Sequence, residues 1–265
     1  MFIPVLPALI FGYAHRFAPG QLTLKFNPPI GRTYKYKMTT SMKMSTGQNT
    51  TGHPMEMQMA MDMDMKAVSR TGNVTTMETR TGSPQVESPG NSQMAAGAKA
   101  MSQAMAGRVI TAKIDSQYRP RGVSGIGAGM DSMFGNMTSM TFPDHPVRVG
   151  DTWSSNLDFG KLLGGMLGGS GSGMKMSGNV PMKFRLVNVV QRGGQSLAQI
   201  SLIMKGDMTM SMAGQGTTMH LDASADFTVD TATGMTSSMK TISATSMKIG
   251  QMQMVQKMTQ TMALR

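Results

Sequence analysis

The chain has 265 residues and a formal net charge of +11, with 34 methionines, no cysteine and only 5% aromatic residues. The lack of cysteine excludes disulfides, thiolate catalysis and cysteine-ligated zinc. The positive charge is spread along the chain, with neither a lysine cluster nor an aromatic-rich strand to stack bases, so nucleic acid is not an expected partner. Methionine outnumbers leucine and isoleucine together, which makes it the main apolar packing residue and favours a pliable interior.

The first elements concern export. Phe2 to Ala14 (FIPVLPALIFGYA) is an apolar stretch with small residues at Gly12 and Ala14, which fits a signal-peptidase site and a mature start at His15. It lacks a basic leading region and is too short to span a bilayer. Residues 1–14 are therefore expected to be a signal peptide, with a buried N-terminal strand as the other reading. The expectation is an exported protein, periplasmic or extracellular and at most peripheral to a membrane. Residues 15–265 are expected to form a single domain.

From Thr33 to Ser45, Tyr34, Tyr36, Met38, Met42 and Met44 fall on one strand face and Lys35, Lys37 and Lys43 on the other. After the turn-rich stretch Gly47–Pro54 comes MEMQMAMDMDM, with methionine at every second position from Met55 to Met65. A period of two places these side chains on one face of a strand, whereas a helix would scatter them. The two strands read as a hairpin. A register setting Lys43 against Glu56, Lys37 against Asp62 and Lys35 against Asp64 also sets Met44 against Met55 and Tyr34 against Met65. A shift of two residues destroys that charge pattern.

A turn at Arg70–Asn73 leads to a short strand at Val74–Arg80, and Gly82–Gly90 reads as a loop. Ser92–Ala106 fits a short amphipathic helix through Met94, Met101 and Met105. Val109–Tyr118 is a further strand candidate, Gly122–Ser139 reads as glycine-rich and loosely helical, and Gly160–Gly178 as a mobile low-complexity tract. The only tryptophan, Trp153, is expected to anchor the Gly150–Trp153 turn against the sheet rather than line a ligand mouth. Strand follows strand thereafter: Met182, Phe184 and Leu186; Ala198 to Met212; Met219 to Val229; Met235–Met247; and Met252 to Met262. The fold class is all-β with minor α, a curved antiparallel sheet or open half-barrel with one or two short helices.

Gly31-Arg32-Thr33-Tyr34-Lys35-Tyr36, the Met/Asp-rich strand, the Pro146…Gly150-Asp151-Thr152-Trp153 segment and the Asp230…Gly234 turn occur together. In these the chain resembles an uncharacterised family of exported bacterial proteins, whose sheets are similar to the half-barrel of lipoprotein-carrier and lipoprotein-receptor domains. The resemblance spans Leu22 to Met262. It implies a curved antiparallel sheet, a helix or loops in its concave face, and the holding of apolar groups there. It implies no catalytic residues.

No Gly-x-Ser-x-Gly elbow, dinucleotide fingerprint or phosphate loop is complete, and Asp62, Asp64, Asp222 and Asp226 read as solvated strand faces. The expected function is non-enzymatic binding of an apolar or amphiphilic ligand, a lipid or a lipidated protein, with no cofactor. The candidate residues are Met57, Met59, Met61 and Met63 with their expected neighbours Met208, Met210 and Met212, since methionine repacks around ligands of varied shape. One alternative is Cu(I) or Ag(I) binding by thioethers, suggested by Met-x-Met pairs such as Met42/Met44, Met174/Met176 and Met252/Met254. Against it, the methionines follow strand periodicity, and His15, His53, His145 and His220 show no ligand-like pairing. The other alternative is a structural or interaction protein with no small ligand.

Overall fold

The computed structural model describes residues 20–47, 55–88, 96, 106–125, 140–158, 175–212, 215–249 and 252–265. Among the described residues, thirteen strands form one antiparallel sheet: β1 (Thr33–Gly47), β2 (Met55–Thr71), β3 (Val74–Thr81), β4 (Gln85–Glu87), β5 (Val109–Asp115), β6 (Pro120–Ser124), β7 (Thr152–Asp158), β8 (Lys175–Ser177), β9 (Asn179–Arg192), β10 (Gln195–Met212), β11 (Gln215–Asp230), β12 (Thr236–Ile249) and β13 (Met252–Leu264). Their order is β6-β5-β3-β2-β1-β13-β12-β11-β10-β9-β7, with β4 on β2 and β8 on β10. The edge strands β6 and β7 do not meet, so the sheet stays open.

Local sequence explains the long meander. Gly193 and Gly194 take φ of 58° and 78°, the left-handed pair that a tight hairpin between β9 and β10 requires. The β11–β12 turn is held by Asp230, which accepts hydrogen bonds from Ala232 N at 2.9 Å and Thr233 Oγ1 at 2.9 Å. The β1–β2 hairpin adopts the register expected from charge, from Tyr34 opposite Met65 to Met44 opposite Met55. Lys43 pairs with Glu56 at 2.7 Å, but Asp62 is engaged by Arg265 at 2.9 Å. The C-terminal meander meets this hairpin where β13 pairs with β1, from Tyr36 opposite Leu264 to Gly47 opposite Gln253.

Three expectations need correction. Gln85–Glu87, expected in a loop, forms β4 against Gln58–Ala60. Gly122–Ser124, expected to be loosely helical, belongs to β6 on β5, and Lys175–Ser177, expected in a mobile tract, forms β8 on β10. These segments are too short for alternation to register, and a long neighbour supplies their backbone partners. Residues 126–139 and 160–174 of those segments lie outside the described residues, as does the expected signal peptide at 1–14. So does the 92–106 helix, apart from Ala96, which is helical, and Ala106, which lies in a turn.

One end of the inner face is covered by irregular chain. Leu22 and Val147 exchange backbone hydrogen bonds at 2.8 and 2.9 Å; Phe26 N reaches Ser116 O, Asn27 N reaches Thr233 O and Gly31 N reaches Ala67 O. This cover seals Leu24, Phe26, Tyr118, Phe142 and Val147 over Tyr34, Tyr36, Phe184, Ile200 and Phe227. Phe26, Tyr118 and Phe142 meet edge to face in succession, at 4.7 and 5.4 Å between ring centroids. Trp153 stands on β7, stacked on Phe184 at 5.6 Å and donating to Thr141 O at 2.6 Å, so it does anchor its turn in the core. The close approach of Lys25 and Phe26 to Gly234 needs glycine. A Cβ there would come within 2.3 Å of Lys25 O, and its φ is 69°.

Asp115 closes the turn between β5 and β6. Its buried carboxylate accepts from Gln117 N at 3.0 Å and Arg119 N at 2.9 Å, and from Arg121 Nε and Nη2 at 2.9 and 2.7 Å. Asp115→Ala removes the acceptor of the Gln117 and Arg119 amides and frees the half-exposed Arg121 side chain to water, so urea unfolding should show a loss of about 2 kcal/mol. Burial also pushes the hydroxyls of Tyr36 and Tyr118 above the ordinary phenol range. The folded state then keeps protons that the unfolded chain releases above about pH 10, so stability is full below that pH and falls as pH rises past it. Tyrosinate absorbance should rise for these two residues only together with unfolding.

Candidate functional site

Because directly paired residues share a face, the registers define the inner face strand by strand. One cross-strand row runs Met204, Ala223, Ser243, Met258, Met42, Met57 over six adjacent strands. Another runs Ile200, Phe227, Met239, Met262, Met38, Met61, and a third begins Met208, Met219, Met247, Met254. Between them lie Leu202, Ala225, Thr241, Gln260, Thr40, Met59 and Gly206, Leu221, Thr245, Gln256, Met44, Met55. Methionine-rich rows thus alternate with rows that carry threonine and glutamine at their centre.

This half of the face differs from the covered half. The covered end holds nearly all the aromatic residues of the buried clusters. Among the described residues, Met38, Met42, Met44, Met55, Met57, Met59 and Met258 belong to neither buried cluster and are half-buried. Gln256 Nε2 donates to Met42 Sδ at 2.9 Å and Gln260 Nε2 to Met38 Sδ at 3.1 Å. The hydroxyl of Thr40, between those two methionines on β1, is buried without a protein partner. The surface is therefore apolar and polarizable, with a narrow polar strip down its middle.

The structure places Met57, Met59, Met61 and Met63 on this face, with Met61 at 5% exposure and Met63 packed against the sealed core. Met208 and Met210 share the face by register, and Met208 is buried with Val180, Leu221 and Ala223. Met212 continues β10 opposite Gln215. The expectation that β10 neighbours β2 fails. Four strands, β1, β13, β12 and β11, stand between them, roughly 24 Å along the sheet at about 4.8 Å per strand. The true neighbours of the β2 methionines are Met38, Met42 and Met44, with Met258 and Met262 one strand further on. Alternation marked all of these as inward strand residues, but nothing local announced that β1 would pair with β13. Gln256 and Gln260 were missed because an inward glutamine in a strand carries no signal until its neighbour is known.

Exposure sets the order of oxidation, since a thioether must meet the oxidant. Under limiting hydrogen peroxide, peptide mapping should find Met42, Met57, Met59 and Met258 converted to sulfoxide before Met77, Met182 and Met208, which are at most 2% exposed.

No protein-family model matches the chain, and no curated protein sequence matches it. Among solved structures, it is similar to lipovitellin in a study of lipid–protein interactions, with a TM-score of 0.53 and 10% identity. That match covers 89% of this chain but 25% of lipovitellin, so the chain spans about a quarter of the protein it matches. A protein with YmcC-like fold from Bacteroides fragilis aligns over 91% of this chain and 97% of its own, at 7% identity and a TM-score of 0.26. Among the described residues, no helix is long and apolar enough to cross a membrane. What is shared with lipovitellin is the fold, a large antiparallel sheet.

Proposed function

We propose that the protein binds an apolar or amphiphilic ligand, a lipid or a lipidated partner, on the methionine-rich half of its inner face, and performs no catalysis on it. The proposed setting is outside the cytoplasm, at most peripheral to a membrane. The observation that carries the reading is the division of the inner face. One half is sealed with interlocking aromatics under the chain's own cover, while the other presents half-buried methionines outside both buried clusters. The fold likeness to lipovitellin supports it. Unbranched thioethers change rotamer at small cost, so such a surface moulds itself to chains of varied length. The polar strip at Thr40, Gln256 and Gln260 suits a ligand carrying a hydrogen-bonding group as well as an apolar body.

The row Met208, Met219, Met247, Met254 supports a second reading. Directly opposed strand residues stand about 5 Å apart at Cβ, so neighbouring thioethers of this row can converge on a soft ion such as Cu(I).

Native mass spectrometry of protein purified gently from its own host separates these readings. The expected spectrum carries a lipid-sized adduct that organic extraction removes. Replacing Met42, Met57 and Met258 together by serine should lower its occupancy at least about tenfold. Emission from Trp153, in the sealed half, should stay unchanged. A copper-sized adduct would promote the second reading. A bare polypeptide mass, unaltered by added lipid or Cu(I), would overturn both and leave a structural or interaction protein.

A further inference from the structure

The outer face of the sheet is solvent-facing and mostly polar, with Ile203 and Ile242 exposed on it, and at the methionine end it carries an open cavity of about 430 Å³. Its lining comes from two cross-strand rows and from Met247, which stands between them on β12. Gly47, Gln253 and Lys248 lie opposite one another on β1, β13 and β12; Ser246 and His220 lie opposite one another on β12 and β11, and Thr218 stands beside them on β11. Asp207 on β10 is the next residue of the second row and binds His220 Nδ1 through Oδ1 at 2.7 Å. That bond fixes the ring and leaves Nε2 as its other polar atom.

The chemistry of the lining is one-sided. Lys248 supplies an ammonium, Gln253 an amide, and Ser246 and Thr218 hydroxyls, while His220 donates from Nε2 when protonated. Among the described residues, no carboxylate lines the cavity. Asp207 is held by His220, and Asp222, two residues along β11, is held by Lys205 at 2.8 Å. Among the described residues, the side chains of Lys248, Gln253, Ser246 and Thr218 have no hydrogen-bond partner, so their donors are free for a ligand. Donors beside a lysine, with no acid among the described lining residues, suit an oxyanion. Gly47 keeps the β1 side of it open, because a Cβ there would meet nothing within 4 Å.

We propose that this cavity binds a phosphate group, with Lys248 as its counter-charge, Gln253, Ser246 and Thr218 as donors, and His220 oriented toward it by Asp207. The polar lining lies on the face opposite the methionine rows, with Met247 of β12 the one lining residue that belongs to them, and the proposal does not rest on the apolar ligand. The phosphate can belong to a soluble ester or to a lipid headgroup, and the chemistry of recognition is the same.

The test is calorimetric titration of the full chain with inorganic phosphate at fixed ionic strength, with chloride as the control anion. Saturable binding to one site is expected. Lys248→Gln should weaken it about tenfold or more, the loss of one charge-assisted contact. Lys240→Gln, on the same face at the far end of β12, should change it less than about twofold. Gly47→Val places a branched side chain at the β1 side of the cavity without a backbone clash and should weaken binding while thermal unfolding stays unchanged. No saturable phosphate binding, or equal losses from Lys248→Gln and Lys240→Gln, would overturn the proposal, the second outcome by showing diffuse charge alone. Sedimentation with phosphatidic acid vesicles identifies the source. Lys248-dependent pelleting assigns the site to a headgroup, and phosphate binding without pelleting assigns it to a soluble ester. The triple serine variant of Met42, Met57 and Met258 should bind phosphate normally, so this proposal and the methionine-face reading fail separately.

Discussion

Everything that this sheet presents depends on the pairing of β1 with β13. Residues more than 200 positions apart are brought into an unbroken antiparallel register, from Tyr36 opposite Leu264 to Gly47 opposite Gln253. Without it, the β1–β2 hairpin with β3, β5 and β6 would be one small sheet and the β9–β13 meander another. With it, the inward residues of both become one surface. Because side chains alternate faces, a slip of one residue in this pairing would put the β1 methionines on the inner face against outward residues of β13. Such non-local contact forms only against a large loop-closure entropy.

The two halves of the inner face solve the same problem, covering apolar surface, with different materials. At the covered end, rigid rings interlock: Phe26, Tyr118 and Phe142 edge to face, and Trp153 flat on Phe184. Four register shifts, in β2–β3, β5–β6, β9–β10 and β11–β12, lie at this end, where each adds twist and bend beneath the cover. At the other end the strands run regularly, and the surface is methionine interleaved with threonine and glutamine. Aromatic packing specifies one arrangement, while a thioether surface tolerates many.

The outer face shows how charge serves register rather than stability. Lys43 lies opposite Lys257 on β13, a repulsive pair, and opposite Glu56 on β2, which binds it at 2.7 Å. Asp226 lies opposite Lys240, and Asp222 pairs with Lys205. These contacts are exposed and each contributes a few tenths of a kcal/mol up to about 1 kcal/mol. Their value lies in penalising shifted pairings, because a two-residue slip keeps every side chain on its face and only charge then tells right from wrong.

The alternation of Met55 to Met65, of Met219 to Val229 and of Met182 to Leu186 was enough to determine strands, faces and an all-β class, since a period of two is a local property of the chain. Charge added the β1–β2 register, because its two strands are joined by a short connection and few pairings compete. The half-sealed, half-methionine face was legible only as a list of inward residues. That Met42 faces Met57 followed from the β1–β2 register, but that Met258 rather than Met208 stands beside them was decided by the strand order. The short strands β4, β6 and β8, the roles of Gln256 and Gln260, and the meeting of Lys248, His220 and Gly47 were decided there too. Each of these depends on a partner distant in sequence, and backbone hydrogen bonds, which set strand neighbours, are the same for every residue type and leave no mark on the sequence.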